Sequence, residues 1–326
     1  MPIKLINPFS GLELYPDNGN LRDACGDIFV SENGVYRVVK GSNYTENFGF
    51  QWNKFVRTQI DRGSEITQSH NRFFAETKWD VSALAGVNVL EVGSGAGRFS
   101  QVVLDHTSAV LYSVDYSNAV EANFRNNGHH GDRLKLFQAS IYELPFAKQS
   151  FDKVFCFGVL QHTPDFERSV SSLAAMVKPG GELVVDFYPI RGWWTKTHIK
   201  YLIRPLTKRV PHEKLLKMIE RNVDWMILVS KLALRLGIYR LACRFIPIAG
   251  ITQFPSGLSA KELREWVVLD TFDMFSPEFD QPQRVKTVAR WFRKSGLDVT
   301  FSGFVRTENS EAATVRGIRP VSGRCT

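Results

Sequence analysis

The stretch VNVLEVGSGAGRFSQVVLDH (87–106) constrains the fold of this chain more than any other. Its first seven residues are mainly apolar and rich in β-branched types, which reads as a buried parallel strand. Gly93-Ser94-Gly95-Ala96-Gly97 follows, a turn whose glycines allow tight curvature and close approach to a ligand. RFSQVVLDH then reads as a helix. Two phosphate-binding readings fail here. A P-loop needs Gly-Lys-Ser/Thr at the helix start, which is absent. The dinucleotide fingerprint needs its third glycine at position 98, which is Arg98; here that glycine comes one residue early.

The downstream sequence repeats the strand–helix alternation. AVLYSVDYS (109–117) is a second strand ending in Asp115, 20 residues past Gly95. That spacing favours an acceptor for a ribose diol over a helix cap. LKLFQAS (134–140), FDKVFCFGVLQH (151–162) and GELVVDFYP (181–189) supply three more strands. QPQRVKTVARWFRKSG (281–296) is an amphipathic helix closed by Gly296. LDVTFSG and ATVRGIRP then form an antiparallel hairpin. The alternation implies a doubly wound, Rossmann-like α/β sheet.

LEVGSGAGRF (90–99), VDYS (114–117), ELPF (143–146), SFDKVF (150–155), VLQHTPD (159–165) and VKPGGELVV (177–185) resemble, in order and spacing, the motifs of class I S-adenosylmethionine-dependent methyltransferases. The resemblance spans 84–190. It implies a seven-stranded sheet and a sulfonium cofactor without phosphate, which explains why neither phosphate signature fits. It also implies residue roles. Gly93, Gly95 and Gly97 would lie against the methionine portion of S-adenosyl-L-methionine. Glu91 would help fix its ammonium group, and Asp115 would accept both ribose hydroxyls. Ser140, where relatives often carry an acid, would reach the adenine amino group. Phe157 and Gly158 would border the methyl group.

Methyl transfer to a hydroxyl needs a base. His162 follows the fourth core strand and titrates near neutrality. The alternative is that it packs or hydrogen-bonds within its loop. Asp186 and Tyr188 are weaker candidates, and Asp152 reads as a turn cap. The aromatic Asn/Asp-Pro-Pro motif of nucleic-acid amino methyltransferases is replaced by Phe157-Gly158-Val159-Leu160. Cys156 lies inside a strand and reads as an inert core thiol.

NPFSGLEL (7–14) and LRDACGDIFVSENGVYRVV (21–39) resemble the two knuckles of a small zinc ribbon. Asn7, Ser10 and Arg22 stand at three ligand positions and Cys25 at the fourth, so no metal is expected. YTENFGFQWNKFVRTQID (44–61) and SHNRFFAETKWD (69–80) read as aromatic-rich helices. They resemble a bacterial methyltransferase subgroup found with surface-polysaccharide and secondary-metabolite genes. Phe48, Trp52 and Phe55 would pack on the core, or Tyr44, Gln51, Trp52 and Arg72 would close over the cofactor.

Charge is concentrated in one place. The chain carries +8 overall, yet residues 191–250 alone hold thirteen Lys/Arg and three Asp/Glu, a balance of +10. WWTKTHIKYLIRPLTKRV (193–210) and VDWMILVSKLALRLGIYRLACRFIPIAG (223–250) mix apolar and basic residues at helical spacing. A basic insertion after the fifth core strand sits above the carboxyl edge of the sheet and reads as a cap over a small-molecule acceptor. Peripheral contact with an anionic membrane is the runner-up, and solvated basic faces explain the spacing equally well. The aromatic and aliphatic content argues against nucleic acid. No eighteen-residue apolar run and no amino-terminal h-region occurs, and Cys25, Cys156, Cys243 and Cys325 are widely spaced, so a cytoplasmic protein is expected.

The sequence thus predicts a ribbon-like module (1–40), a helical cofactor-covering segment (41–84), a cofactor-binding core (85–190), a basic helical cap (191–261) and a C-terminal helix with the last two strands (262–326). Its predicted activity is methyl transfer to an oxygen or nitrogen of a sugar, glycan-lipid or secondary metabolite. An RNA methyltransferase and a non-catalytic binding protein are the alternatives.

Overall fold

The computed structural model describes residues 3–41, 44–61, 67–255, 257–308 and 311–321. Cys325 therefore lies outside the described residues. Three short strands, β1 (Tyr15–Asp17), β2 (Asn20–Arg22) and β3 (Ile28–Phe29), form a small antiparallel sheet. Nine more form the central sheet: β4 (Ser31–Glu32), β5 (Val35–Val38), β6 (Asn88–Val92), β7 (Val110–Asp115), β8 (Leu134–Ala139), β9 (Phe151–Cys156), β10 (Val177–Phe187), β11 (Asp298–Arg306) and β12 (Glu311–Ile318). Their order is β11-β12-β10-β9-β6-β7-β8-β5-β4. Strands β5 to β10 run parallel to one another, while β4, β11 and β12 pair antiparallel.

Among the described residues the central sheet has nine strands where seven were expected. The extra pair comes from the amino-terminal segment. Val35 and Val38 are fully buried, and their strand pairs with β8 from Leu136 to Ala139. Arg37 fixes this register by donating to Gln138 Oε1 at 3.1 Å and pairing with Glu121 at 2.8 Å. The added strands cover an edge that would otherwise present unpaired backbone groups.

Helices cover both faces. α2 (Gln68–Thr77), α3 (Arg98–His106) and α4 (Val120–Asn127) bury Phe73, Phe99, Val102 and Val120 on one side. On the other, α5 (Phe166–Met176) and α10 (Val285–Lys294) bury Val170, Leu173, Val288 and Phe292, and Leu21 and Phe29 of the small sheet, with Leu14 just before it, join the same cluster.

In the small sheet, the positions that resemble zinc ligands are organised by a carboxylate beside them. Asp23 Oδ2 accepts from Asn7 Nδ2 at 2.7 Å and from Ser10 Oγ at 2.8 Å. Asp23 Oδ1 accepts the amides of Cys25 and Asp27, both at 3.0 Å. Arg22 instead points outward to Asp17.

The cap comprises α6 (Ile199–Thr207), α7 (His212–Arg235), α8 (Tyr239–Ala242) and, beyond the expected boundary at 261, α9 (Ala260–Phe275). α7 and α9 share an apolar cluster with Phe55, just past α1 (Glu46–Lys54): Leu216, Val223, Trp266 and Phe272 are its centre. That shared core makes α9 part of the cap. Among the described residues no helix is long and apolar enough to cross a membrane.

Candidate functional site

A cavity of about 790 Å³ opens at the carboxyl ends of the parallel strands, beneath the cap. It falls within the range of small-ligand sites. The floor is Gly93-Ser94-Gly95 after β6, Asp115 at the end of β7, Ala139 at the end of β8 with Ile141 beyond it, and Phe157-Gly158-Val159 after β9. Gly95 has φ +53°, and a Cβ there would stand 3.0 Å from Trp52 Nε1, so the turn needs glycine and the indole closes over it. Asp115 Oδ2 accepts the Gly95 amide at 2.8 Å; its Oδ1 accepts the Ser117 amide at 2.8 Å and hydroxyl at 2.7 Å. Burial raises the Asp115 pKa, opposed by these bonds. Tyr44, Gln51, Trp52 and Arg72 all line the cavity. Phe55 packs into the cap cluster.

The acceptor side is built around His162. The residue is 5% exposed and lines the cavity, with its ring between Phe48 and Tyr188, centroids 5.2 and 5.6 Å away. Its Nδ1 lies 3.0 Å from the carbonyl oxygen of Phe279. A carbonyl can only accept, so Nδ1 carries the proton and donates. Nε2 then bears the lone pair, and it is buried with no hydrogen-bond partner among the described residues. The nearest carboxylate to it is Asp273, at 4.0 Å. Burial lowers the His162 pKa, opposed by Asp273 and Asp280, so the ring is neutral at pH 7.

The other expected bases are committed elsewhere. Asp186 accepts from Arg72 and from the Gly158 amide, and Arg72 also donates to Glu76 at 2.7 Å. Tyr188 donates its hydroxyl to Asp273 at 3.1 Å, and burial raises its pKa far above the usual value. Asp152 does not cap a turn; it accepts the Asn88 amide at 3.0 Å and pairs with Lys178. Cys156 is fully buried and its thiol pKa is pushed well up. Asp270 accepts from Gln59 at 2.9 Å, and burial pushes its carboxyl up to about 7. Asp105, His129 and His130 offer ligand atoms within 4.8 Å of one another on the surface, outside this cavity.

A methyltransferase domain family matches residues 90–185, the span of the glycine turn, Asp115 and β10. Residues 90–185 therefore form a methyltransferase domain. The ubiquinone biosynthesis O-methyltransferase of Coxiella burnetii is 34% identical over 101 residues, which is 31% of this chain and 43% of that one. Methyltransferase GfsG of Streptomyces halstedii is 32% identical over 173 residues, 51% of this chain and 58% of that one. The tRNA U34 carboxymethyltransferase of Nautilia profundicola is 30% identical over 121 residues, 35% and 40% respectively. The chain spans about half the length of the curated relatives it matches. The methyltransferase domain takes S-adenosyl-L-methionine as cofactor, and its glycine-lined turn and cavity-facing carboxylate fit that molecule.

Three residues expected at the cofactor stand off the cavity. Ser140 turns inward and accepts the Tyr142 amide at 3.2 Å, leaving Ile141 at the surface of the methyltransferase pocket. Gly97 starts α3 with φ +83°; a Cβ would meet Asn123 Oδ1 at 2.2 Å, so its glycine serves close packing on α4. Glu91 is 2% exposed and accepts from Ser100 and, at 2.9 Å, from Ser113, behind the turn. Asn123 continues this network, donating to Ser100 Oγ at 2.8 Å and Ser113 Oγ at 3.1 Å. Burial pushes the Glu91 carboxyl up to about 7 from 4.5, so folding favours its protonated form. The stability this contributes is complete below about pH 4.5 and is lost as pH rises through about 7, on the order of 3 kcal/mol. Glu91→Gln should therefore match the parent at acid pH and exceed it above neutrality. Denaturant unfolding of both proteins across pH checks this; parallel curves would count against it.

Proposed function

We propose that the whole chain transfers a methyl group from S-adenosyl-L-methionine to an oxygen or nitrogen of a small molecule, with a hydroxyl oxygen the favoured acceptor. The observation that carries the reading is the buried, unpartnered Nε2 of His162, lone pair available, at the wall of the cavity. When bound, the cofactor supplies an activated methyl group on a sulfonium. The protein's own work is then alignment and proton removal. Asp115 uses three of about four acceptor sites on Gly95 and Ser117. A ribose diol would take the remaining site and displace the Ser117 hydroxyl, which is free to rotate. The Gly158 amide, held by Asp186, fixes the loop between β9 and His162. An acceptor hydroxyl would give its proton to Nε2 as its oxygen takes the methyl, with the sulfonium–methyl bond breaking and S-adenosylhomocysteine leaving, and Asp273 would stabilise the resulting imidazolium.

The cavity wall supports a small acceptor bearing both polar and apolar parts. Phe48, Tyr188, Phe254 and Trp266 stand beside Arg98, Lys200, Asp270 and Asp273. The test is label transfer from methyl-labelled S-adenosylmethionine to hydroxylated small molecules, including sugars and phenols, beside bulk tRNA. Transfer to a hydroxyl compound, absent in the His162→Ala protein, is expected. Transfer to tRNA alone would overturn the reading.

A further inference from the structure

The cap turns a second apolar face to the outside. Fourteen of the twenty-one exposed large hydrophobic residues of the described chain fall between Trp193 and Phe245, so the exposure belongs to one region. On α7 the buried side is Leu216, Ile219, Val223, Met226 and Ile227. On its far side Met218, Trp225, Val229, Leu232 and Leu236 recur at seven, four, three and four residues, the spacing of a helical stripe. Trp225 is 53% exposed, and Leu228, beside the stripe, is 68%. Stripes of this size rarely face water without a partner.

Cations accompany this face. Lys217, Arg221, Lys231, Arg235 and Arg240 are exposed on α7 and α8, and none has a carboxylate partner among the described residues. The segment's +10 balance decides what the face can meet. A second copy of the chain would set this charge against itself. An anionic bilayer complements the charge and receives the apolar stripe at once. The geometry also joins this face to the cavity. Arg244, two residues past α8, donates to the carbonyl of Trp194 and, at 2.8 Å, to Thr197 Oγ1. Trp194, Tyr239 and Arg244 line the cavity rim, while Trp193, Leu241 and Phe245 next to them point out. α6 does the same with Lys200 and Tyr201 inward, Leu202 and Leu206 outward.

We propose that the outer face of α6–α8 docks the protein on an anionic membrane surface, inserting its apolar stripe and setting the cavity rim at the lipid headgroups. The proposal does not depend on the methyl-transfer reading, because docking is measured on the protein without turnover.

The experiment is co-sedimentation of the full chain with phosphatidylcholine vesicles carrying about one-third phosphatidylglycerol, beside vesicles of phosphatidylcholine alone. Binding to the anionic vesicles is expected, at least tenfold weaker to the neutral ones. At roughly 1 M salt, where screening acts within about 3 Å, a fraction stays bound through the inserted stripe. Leu228→Glu with Leu232→Glu should lower binding at least about tenfold, since each side chain loses its apolar transfer. Neutralising Arg221, Lys231 and Arg235 should lower it about a hundredfold. All these residues are exposed, so S-adenosylhomocysteine binding by calorimetry should be unchanged and reports an intact fold. Lipid brominated near the headgroup should quench tryptophan emission, less so after Trp225→Phe. No binding to anionic vesicles overturns the proposal. So does a dimer in solution that Leu228→Glu dissociates, or submicromolar RNA binding at physiological salt lost with the same three cations.

Discussion

Replacing His162 by alanine should lower turnover by roughly 10²–10⁴-fold while S-adenosylhomocysteine affinity changes little. The size follows from the role. A hydroxyl is a poor nucleophile until its proton leaves, and Nε2 is the one ring nitrogen with a lone pair to take it. The nearest alternatives are already engaged: Asp186 with Arg72 and Gly158, Tyr188 with Asp273. A packing role makes a different prediction, and His162→Asn separates the two. Asparagine can still donate to the Phe279 carbonyl and fills much of the same space, so it restores packing without restoring the base. Both variants should be equally slow. Burial holds the His162 pKa below its usual 6.5, so parental turnover should rise with pH through an acid limb below 6.5 and then level. That limb should vanish in both variants. Near-normal turnover in His162→Asn would reduce the residue to packing.

What the sequence made legible follows a physical division. Periodicity reports burial along one element, so the parallel strands, the amphipathic α10 and the final hairpin were readable from alternation alone. Spacing within the β6–turn–α3–β7 unit placed Gly93, Gly95 and Asp115 at the cavity, because adjacent parallel strands end side by side at the same edge of the sheet. Spacing does not report which way a side chain points. Glu91 and Ser140 sit where the motif expects them along the chain, yet one faces the network beneath α3 and the other its own turn. Asp273 was missed because it meets His162 across 111 residues, with α5, β10 and the cap helices α6 to α8 lying between. Its signal was present in WVVLDTFDMF (266–275): Asp270 and Asp273, three apart, share one face of a mainly apolar stretch of α9. Buried carboxylates cost several kcal/mol unless partnered, so that pattern marks a site. The two extra strands were missed for another reason. VYRVV (35–39) is a short run beside turn residues, and only the free edge of β8 makes it part of the central sheet.

Asp115→Ala should weaken S-adenosylhomocysteine binding by roughly 10²-fold or more, since each hydrogen bond to a charged acceptor contributes about 1.5–3 kcal/mol. Two losses combine. The ribose diol loses its carboxylate, and the glycine turn loses the acceptor that holds the Gly95 amide. Asp115→Asn retains one oxygen acceptor and should fall between parent and alanine. The competing reading, a carboxylate that only caps its turn, is tested at Ser117. If the carboxylate serves the turn, Ser117→Ala should destabilise the protein, and Asp115→Ala should lower the melting temperature with affinity intact. If it serves the diol, the Ser117 hydroxyl competes with the ligand for the same oxygen. Ser117→Ala then frees an acceptor site before binding, while the Ser117 amide at 2.8 Å still holds the carboxylate in place. Affinity in that variant should be equal to the parent's or tighter. Calorimetry on the three variants decides it. Tight NAD binding by the parent, without S-adenosylhomocysteine binding, would contradict the cofactor itself, because the same carboxylate would then be serving a dinucleotide whose fingerprint glycine is Arg98 in this chain.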